Sequence, residues 1–204
     1  MRNLSDILNT IETDITSEKV SMNDLLEIFH ERGFGFFLFF FALPAALPIP
    51  AVGVGTILGM PLLFLTAQQA IGRHTIWFPE KMKHKTIAKT KISAFTKAAL
   101  PWVKRIEKLV KPRLEFITQG QISKLIGVLG FIMALAVCVP LPLTNTIPSL
   151  GIALMAIGIL MRDGLAVLAG AAIGMAWVVL LCGIVIFLGT DGIDIAKEFI
   201  KGFF

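Results

Sequence analysis

The sequence predicts an all-α, polytopic integral membrane protein. It is one domain of 204 residues, with two proline-broken helical repeats, a basic amphipathic linker between them and a C-terminal transmembrane helix. Three observations predict this. Hydrophobic residues make up 55% of the chain and charged residues 16%, against roughly 45–50% and about 25% in a soluble domain. The formal charge of +5 is split into −4 over residues 1–33, +10 over 73–124 and −1 elsewhere. Long uncharged stretches bracket the basic segment, an arrangement that places it at the cytoplasmic face of a membrane and not on nucleic acid.

Residues 1–33 read as polar N-terminal helices. Leu4, Ile7, Leu8, Ile11 and Ile15 recur at helical spacing, Ser21 and Asp24 match a capping box, and Gly33 is a stop signal. The segment lacks the basic start, apolar core and small-residue cleavage site of a secretory signal.

Residues 34–73 form the first membrane repeat. Its opening fourteen residues, 34–47, carry no charge; as a helix they reach only ~21 Å, short of the ~30 Å hydrocarbon core. Pro44, Pro48 and Pro50 interrupt the chain before an apolar arm resumes over 51–71. This pattern fits either a broken helix or a re-entrant hairpin. Residues 125–163 repeat it: an uncharged run, Pro140-Leu141-Pro142, the polar Thr144-Asn145-Thr146, Pro148 and a second apolar arm. Shifted by 92 residues without a gap, 35–72 overlie 127–164 with ten identities in thirty-eight, including both prolines of Pro-x-Pro.

Between the repeats, 74–124 is the basic linker. Ile92, Phe95, Ala99, Trp102, Ile106 and Leu109 follow steps of three and four, while lysines and Arg105 occupy other faces. That is the pattern of an interfacial helix on anionic lipid, with Pro101 and Pro112 as bends or stops. Residues 164–188 reach ~37 Å as a helix, enough to span with tilt, and 189–204 form a tail. Cys138 and Cys182 lie in apolar runs, where a thiol packs as a small hydrophobe.

Several pieces in order resemble the ExoD family of bacterial inner-membrane proteins. They are Glu31-Arg32-Gly33-Phe34-Gly35, Leu47-Pro48-Ile49-Pro50, Gly72-Arg73 with Trp77 and Pro79, Pro101-Trp102, Lys111-Pro112-Arg113-Leu114, Pro140-Leu141-Pro142, Asn145, Pro148 and Arg162-Asp163-Gly164. The resemblance covers roughly residues 25–188. It implies a multi-pass inner-membrane protein connected with exopolysaccharide production and envelope tolerance of alkaline conditions, without an assigned reaction or solute. Lys124 stands where the family favours arginine, and the basic character is retained.

The candidate solute-binding residues follow from the breaks. Pro48, Pro50, Pro140, Pro142 and Pro148 free backbone carbonyls, and irregular backbone inside a bilayer survives only in protein or beside water. Thr56, Thr144 and Asn145 add hydroxyl and amide groups, as Thr146 and Ser149 do one step on. Transporters place solutes at such discontinuous helices; capping of the helix ends is the equally weighted alternative. Arg73, Arg162 and Asp163 end the two repeats, either as functional charges or as markers of the return to water. Gln68 and Gln69 fit bonds to a neighbouring helix.

His30, His74 and His84 have no ligand-like spacing, and no phosphate loop, nucleophile elbow or intramembrane carboxylate pair occurs. No metal, cofactor or catalytic residue is therefore expected. The expected partners are the bilayer, with anionic lipid at the linker, proteins of polysaccharide synthesis, and a second copy of the chain. The expected function is transport or sensing of a small polar or ionic solute in support of exopolysaccharide production; a non-transporting scaffold is the alternative.

Overall fold

The computed structural model describes residues 19–21, 33–47, 54–73, 75–80, 86–107, 110–139 and 145–201. Among these, six helices carry the fold: α1 (Gly33–Ala45), α2 (Val54–Ala70), α3 (Lys89–Glu107), α4 (Gly120–Cys138), α5 (Thr146–Met161) and α6 (Gly164–Lys201). A 3-10 turn, Glu115–Thr118, precedes α4. Two three-residue strands, β1 (Lys19–Ser21) and β2 (Thr86–Ala88), pair antiparallel with Val20 opposite Ile87.

The phenylalanine-rich α1 buries Phe34, Phe36, Phe37, Leu38, Phe39, Ala42 and Ala45, so it is covered on several sides. It packs on α2 and on α5, while α4 packs on α2, α5 and α6, and α6 lies along α5. Glycines set how closely these helices approach. A Cβ on Gly35 would meet Leu160 Cγ at 2.7 Å and the Ala156 carbonyl at 3.0 Å, and one on Gly127 would strike the backbone of Ala70. At the α5–α6 crossing, a Cβ on Gly151 would lie 2.8 Å from the Gly170 carbonyl. Such contacts draw backbones together and maximise dispersion where no water is expelled.

The same contacts give the directions. The start of α1 meets the end of α5, and the start of α4 meets the end of α2. Thus α1 and α4 run parallel, and α2 and α5 return antiparallel to them. The start of α2 and the end of α4 meet Asn145 at one end of the four-helix bundle; Gly72, Lys124, Leu114 and the start of α6 lie at the other. These are called below the hairpin end and the linker end.

The helix α4 and the Gly164–Phe187 part of α6 are each long and apolar enough to cross a membrane, and α1 and α5 are apolar but shorter. The expected boundaries shift in several places. Lys19–Ser21 is strand and not helix, with β-branched Val20 paired to Ile87. Gly33 opens α1 and is buried. The linker ends at Gln119, because α4 begins at Gly120; hydropathy marks where charge stops, not where helical hydrogen bonding begins. Pro101 sits inside α3, and α6 continues as helix to Lys201 through the expected tail.

Close approach at Gly127 makes a test. Gly127→Leu is expected to lower stability by about 1–3 kcal/mol or to unfold the bundle. Gly183→Leu, with nothing within 4 Å of its new Cβ, is expected to be neutral. Thermal unfolding of detergent-purified protein, followed by circular dichroism, measures both.

Candidate functional site

Two polar regions emerge, at opposite ends of the bundle. At the hairpin end, α2 starts against the close of α4. The Thr56 hydroxyl donates to the Cys138 carbonyl at 3.1 Å, taking up an acceptor that the end of α4 leaves free. Gly55 brings the α2 backbone to Asn145: a Cβ there would lie 3.0 Å from Asn145 Nδ2 and 3.3 Å from the Val137 carbonyl. Asn145 occupies the N-cap position of α5, yet its side chain makes no capping bond.

One turn on, Ser149 is 0% exposed, and its Oγ has no hydrogen-bond partner among the described residues. Its backbone N–H donates to the Asn145 carbonyl at 3.0 Å. Spacings of four and three place Ser149, Ala153, Ala156 and Leu160 on one stripe of α5, the stripe that Gly35 of α1 meets at Ala156 and Leu160. Because Cβ bonds tilt toward a helix N-terminus, Ser149 leans back over the Asn145 turn. Pro148 is buried beside it in the first turn, where a missing N–H costs no helical bond.

The residues flanking the two breaks are therefore adjacent. Pro48, Pro50, Pro140, Pro142 and Thr144 lie outside the described residues. Below this end, the space between the four helices is filled by Phe37, Leu62, Leu65, Met133, Val137 and Ile152, all at most 1% exposed. A continuous hydrated path along the bundle axis is thus closed in this conformation.

The linker end holds the charged candidates Arg73, Arg162 and Asp163, apart from Thr56 and Asn145. Arg73 follows α2 and Arg162 follows α5, so each stands a helix length, ~25 Å, from Thr56 and Asn145. The helix α2 closes with Gly72 at φ 86° and the Arg73 N–H on the Gln68 carbonyl at 3.1 Å. The guanidinium of Arg73 lies 5.9 Å from the Trp77 ring. The Gln68 amide grips the Trp77 backbone in both directions, accepting from its N–H at 2.7 Å and donating to its carbonyl at 3.1 Å. Gln68 thus serves structure, as expected, but bonds the extended segment 75–80 in place of a helix.

Asp163 is 3% exposed. Its Oδ1 accepts from the N–H groups of Leu165 (2.9 Å) and Ala166 (3.3 Å), capping α6, and its Oδ2 accepts from the Lys111 N–H at 3.0 Å. The Gly164 N–H donates to the Arg113 carbonyl at 2.7 Å. Asp163 therefore clips the linker onto the start of α6. Arg162, in left-handed conformation at φ 55°, pairs with Glu115 at 3.9 Å across partly exposed surface. Sequence reasoning missed Glu115, the Gln68–Trp77 clamp and the Lys111 contact, since each pairing depends on how the chain folds back and not on local pattern. Among the described residues no group of three His, Cys, Asp or Glu is placed to hold a metal.

Two of the described helices are long and apolar enough to cross a membrane, the coarse class is an apolar all-helical bundle, and comparison with known sequences gives the family. The profile described as "Exopolysaccharide synthesis, ExoD" matches residues 4–183, and the chain belongs to that family. Protein slr1875 of Synechocystis sp. (strain ATCC 27184 / PCC 6803 / Kazusa) is 34% identical over 186 residues, 89% of this chain and 88% of that one. Protein ExoD of Rhizobium meliloti (strain 1021) is 28% identical over 173 residues, 83% of this chain and 72% of that one. No solved structure matches.

Asp163→Ala is expected to destabilise the protein by about 2–4 kcal/mol, from a lost helix cap and an unsatisfied Lys111 N–H. Thr56→Val is expected to cost about 1 kcal/mol. Denaturation midpoints of the two variants in the same detergent check the order.

Proposed function

We propose that the chain is an inner-membrane protein supporting exopolysaccharide synthesis, and that it binds a small polar solute at the hairpin end, between two proline-broken repeats, to sense or carry it. The family supports the process. The observation carrying the site is Ser149, whose fully buried hydroxyl has no hydrogen-bond partner among the described residues and which stands one helical turn from the uncapped Asn145. A buried orphan hydroxyl costs about 1–3 kcal/mol, a cost that a ligand oxygen or nitrogen would remove.

The repeat reading is supported by the helix starts. Val54 and Thr146, which open α2 and α5, are separated by the same 92 residues as the sequence repeat. Exchanging the repeats also converts the α1–α5 pairing into the α4–α2 pairing. Because α1 and α4 run parallel, this is parallel symmetry, with both hairpins opening at the linker end. Re-entry of the first repeat, though not of the second, whose α4 is long enough to cross a membrane, is supported by length. The thirteen residues of α1 reach ~20 Å. The twenty-four-residue Gly164–Phe187 run of α6 reaches ~36 Å and continues past Gly174, which lies beside Gly151 near the start of α5.

Carrying a solute requires the plug of Phe37, Leu62, Met133 and Ile152 to part, whereas sensing requires only a local change at Asn145. The filled interior also favours a second reading, a non-transporting scaffold for synthesis proteins.

Sealed proteoliposomes loaded with a panel of small ions and sugars separate these. Solute binding or flux in the unaltered protein, reduced at least about tenfold by Asn145→Ala or Ser149→Ala, is the expected result. Absence of both across the panel, together with stable capture of synthesis proteins through residues 80–118, would establish the scaffold instead.

A further inference from the structure

We propose that the linker end is a docking surface for the anionic headgroups of one membrane leaflet, gripped by α3 and by a rim of cations around the bundle. The proposal rests on the membrane reading of the bundle and is independent of the solute site.

The placement of charge carries it. Residues 34–72, 125–161 and 164–190 contain no Asp, Glu, Lys or Arg. At the linker end of these runs Arg73 leaves α2, Lys124 sits in the first turns of α4 and Arg162 closes α5, whereas the far end of the 164–190 run opens on the acidic Asp191 and Asp194. Lys111 and Arg113, both exposed, are held at the start of α6 by the Asp163 clip. Five cations therefore ring an apolar bundle at the level where its helices end. If the bundle is in lipid, that level is the headgroup layer.

The helix α3 adds to the same end. Lys97, Lys104 and Arg105 are exposed on it. Thr96 is buried and Leu100 packs against the apolar cluster that includes Ile76 and Phe78, just beyond Arg73, while the start of α3 adjoins β2. Val110 is buried as well, and the Lys111 bond to Asp163 follows it directly. The segment is thus tethered beside the rim and is not a free basic arm. A duplex or an acidic protein would match the charge of α3. It would not match a ring of cations on the perimeter of an apolar bundle, which a planar anionic layer meets in one step.

The full chain in nanodiscs gives the test. Discs are made of phosphatidylcholine alone or mixed with phosphatidylglycerol, and cleavage by a glutamate-specific protease is followed after Glu107 and Glu115. Cleavage after Glu198, at the far end of α6, reports any effect of the surface on the protease itself. Relative to that control, the linker sites are expected to be cut about fivefold more slowly in the phosphatidylglycerol discs, with the difference abolished by high salt. The double variant Lys104→Gln, Arg105→Gln is expected to be cut alike in both discs.

Equal rates in the two discs for the unaltered protein overturn the proposal, and that comparison needs no variant to fold. Protection that persists in the double variant, with helicity unchanged, overturns the role of α3. Protection in phosphatidylcholine discs on adding RNA or an acidic protein, matching that by phosphatidylglycerol, assigns the surface to a soluble polyanion instead. Failure of solute binding leaves all these outcomes unchanged.

Discussion

Backbone-to-backbone contact at glycine holds the hairpins together. None of α1, α2, α4 or α5 has a partner in its own hairpin alone; each is also paired with a helix from the other half of the chain. At Gly35 and Gly127 these crossings leave no room for a side chain. The gain is dispersion from close-packed atoms, each contact small and the sum large. Two short hairpins thereby become one bundle, and the start of α2 is brought into register with the end of α4 at Thr56 and Cys138.

Polar groups follow from that packing and divide by function. At the linker end they satisfy one another: Asp163 takes three backbone N–H groups, Gln68 takes both backbone groups of Trp77, and Arg162 meets Glu115. A buried carboxylate that takes three backbone N–H groups from two parts of the chain acts as a structural clip. At the hairpin end the satisfaction is incomplete. Thr56 is bonded, but Asn145 makes no cap and Ser149 Oγ makes no bond among the described residues. The two ends therefore differ in how far their polar groups are satisfied among the described residues, which is the contrast that the proposed solute site draws on.

Much of the fold was legible. Uncharged runs marked the apolar helices α1, α2, α4 and α5, and the three- and four-residue steps from Ile92 to Leu109 overlap the helix Lys89–Glu107. The candidate site was legible in part. Proline positions marked the breaks, and Thr56 and Asn145 do flank them together. Arg73, Arg162 and Asp163, which end the two repeats in sequence, stand a helix length away from them, a distance that the alignment of the repeats does not give.

By itself, the sequence determined where helices can exist in an apolar medium: local hydropathy, charge and proline act on the chain within a few residues. Only tertiary structure decided that α1 and α4 run parallel, that Asp163 binds the Lys111 N–H fifty-two residues away, and that Phe37, Leu62, Met133 and Ile152 are buried between the helices. Those outcomes depend on which surfaces meet across the whole chain. Close packing settles that by shape, and shape is written in no single segment.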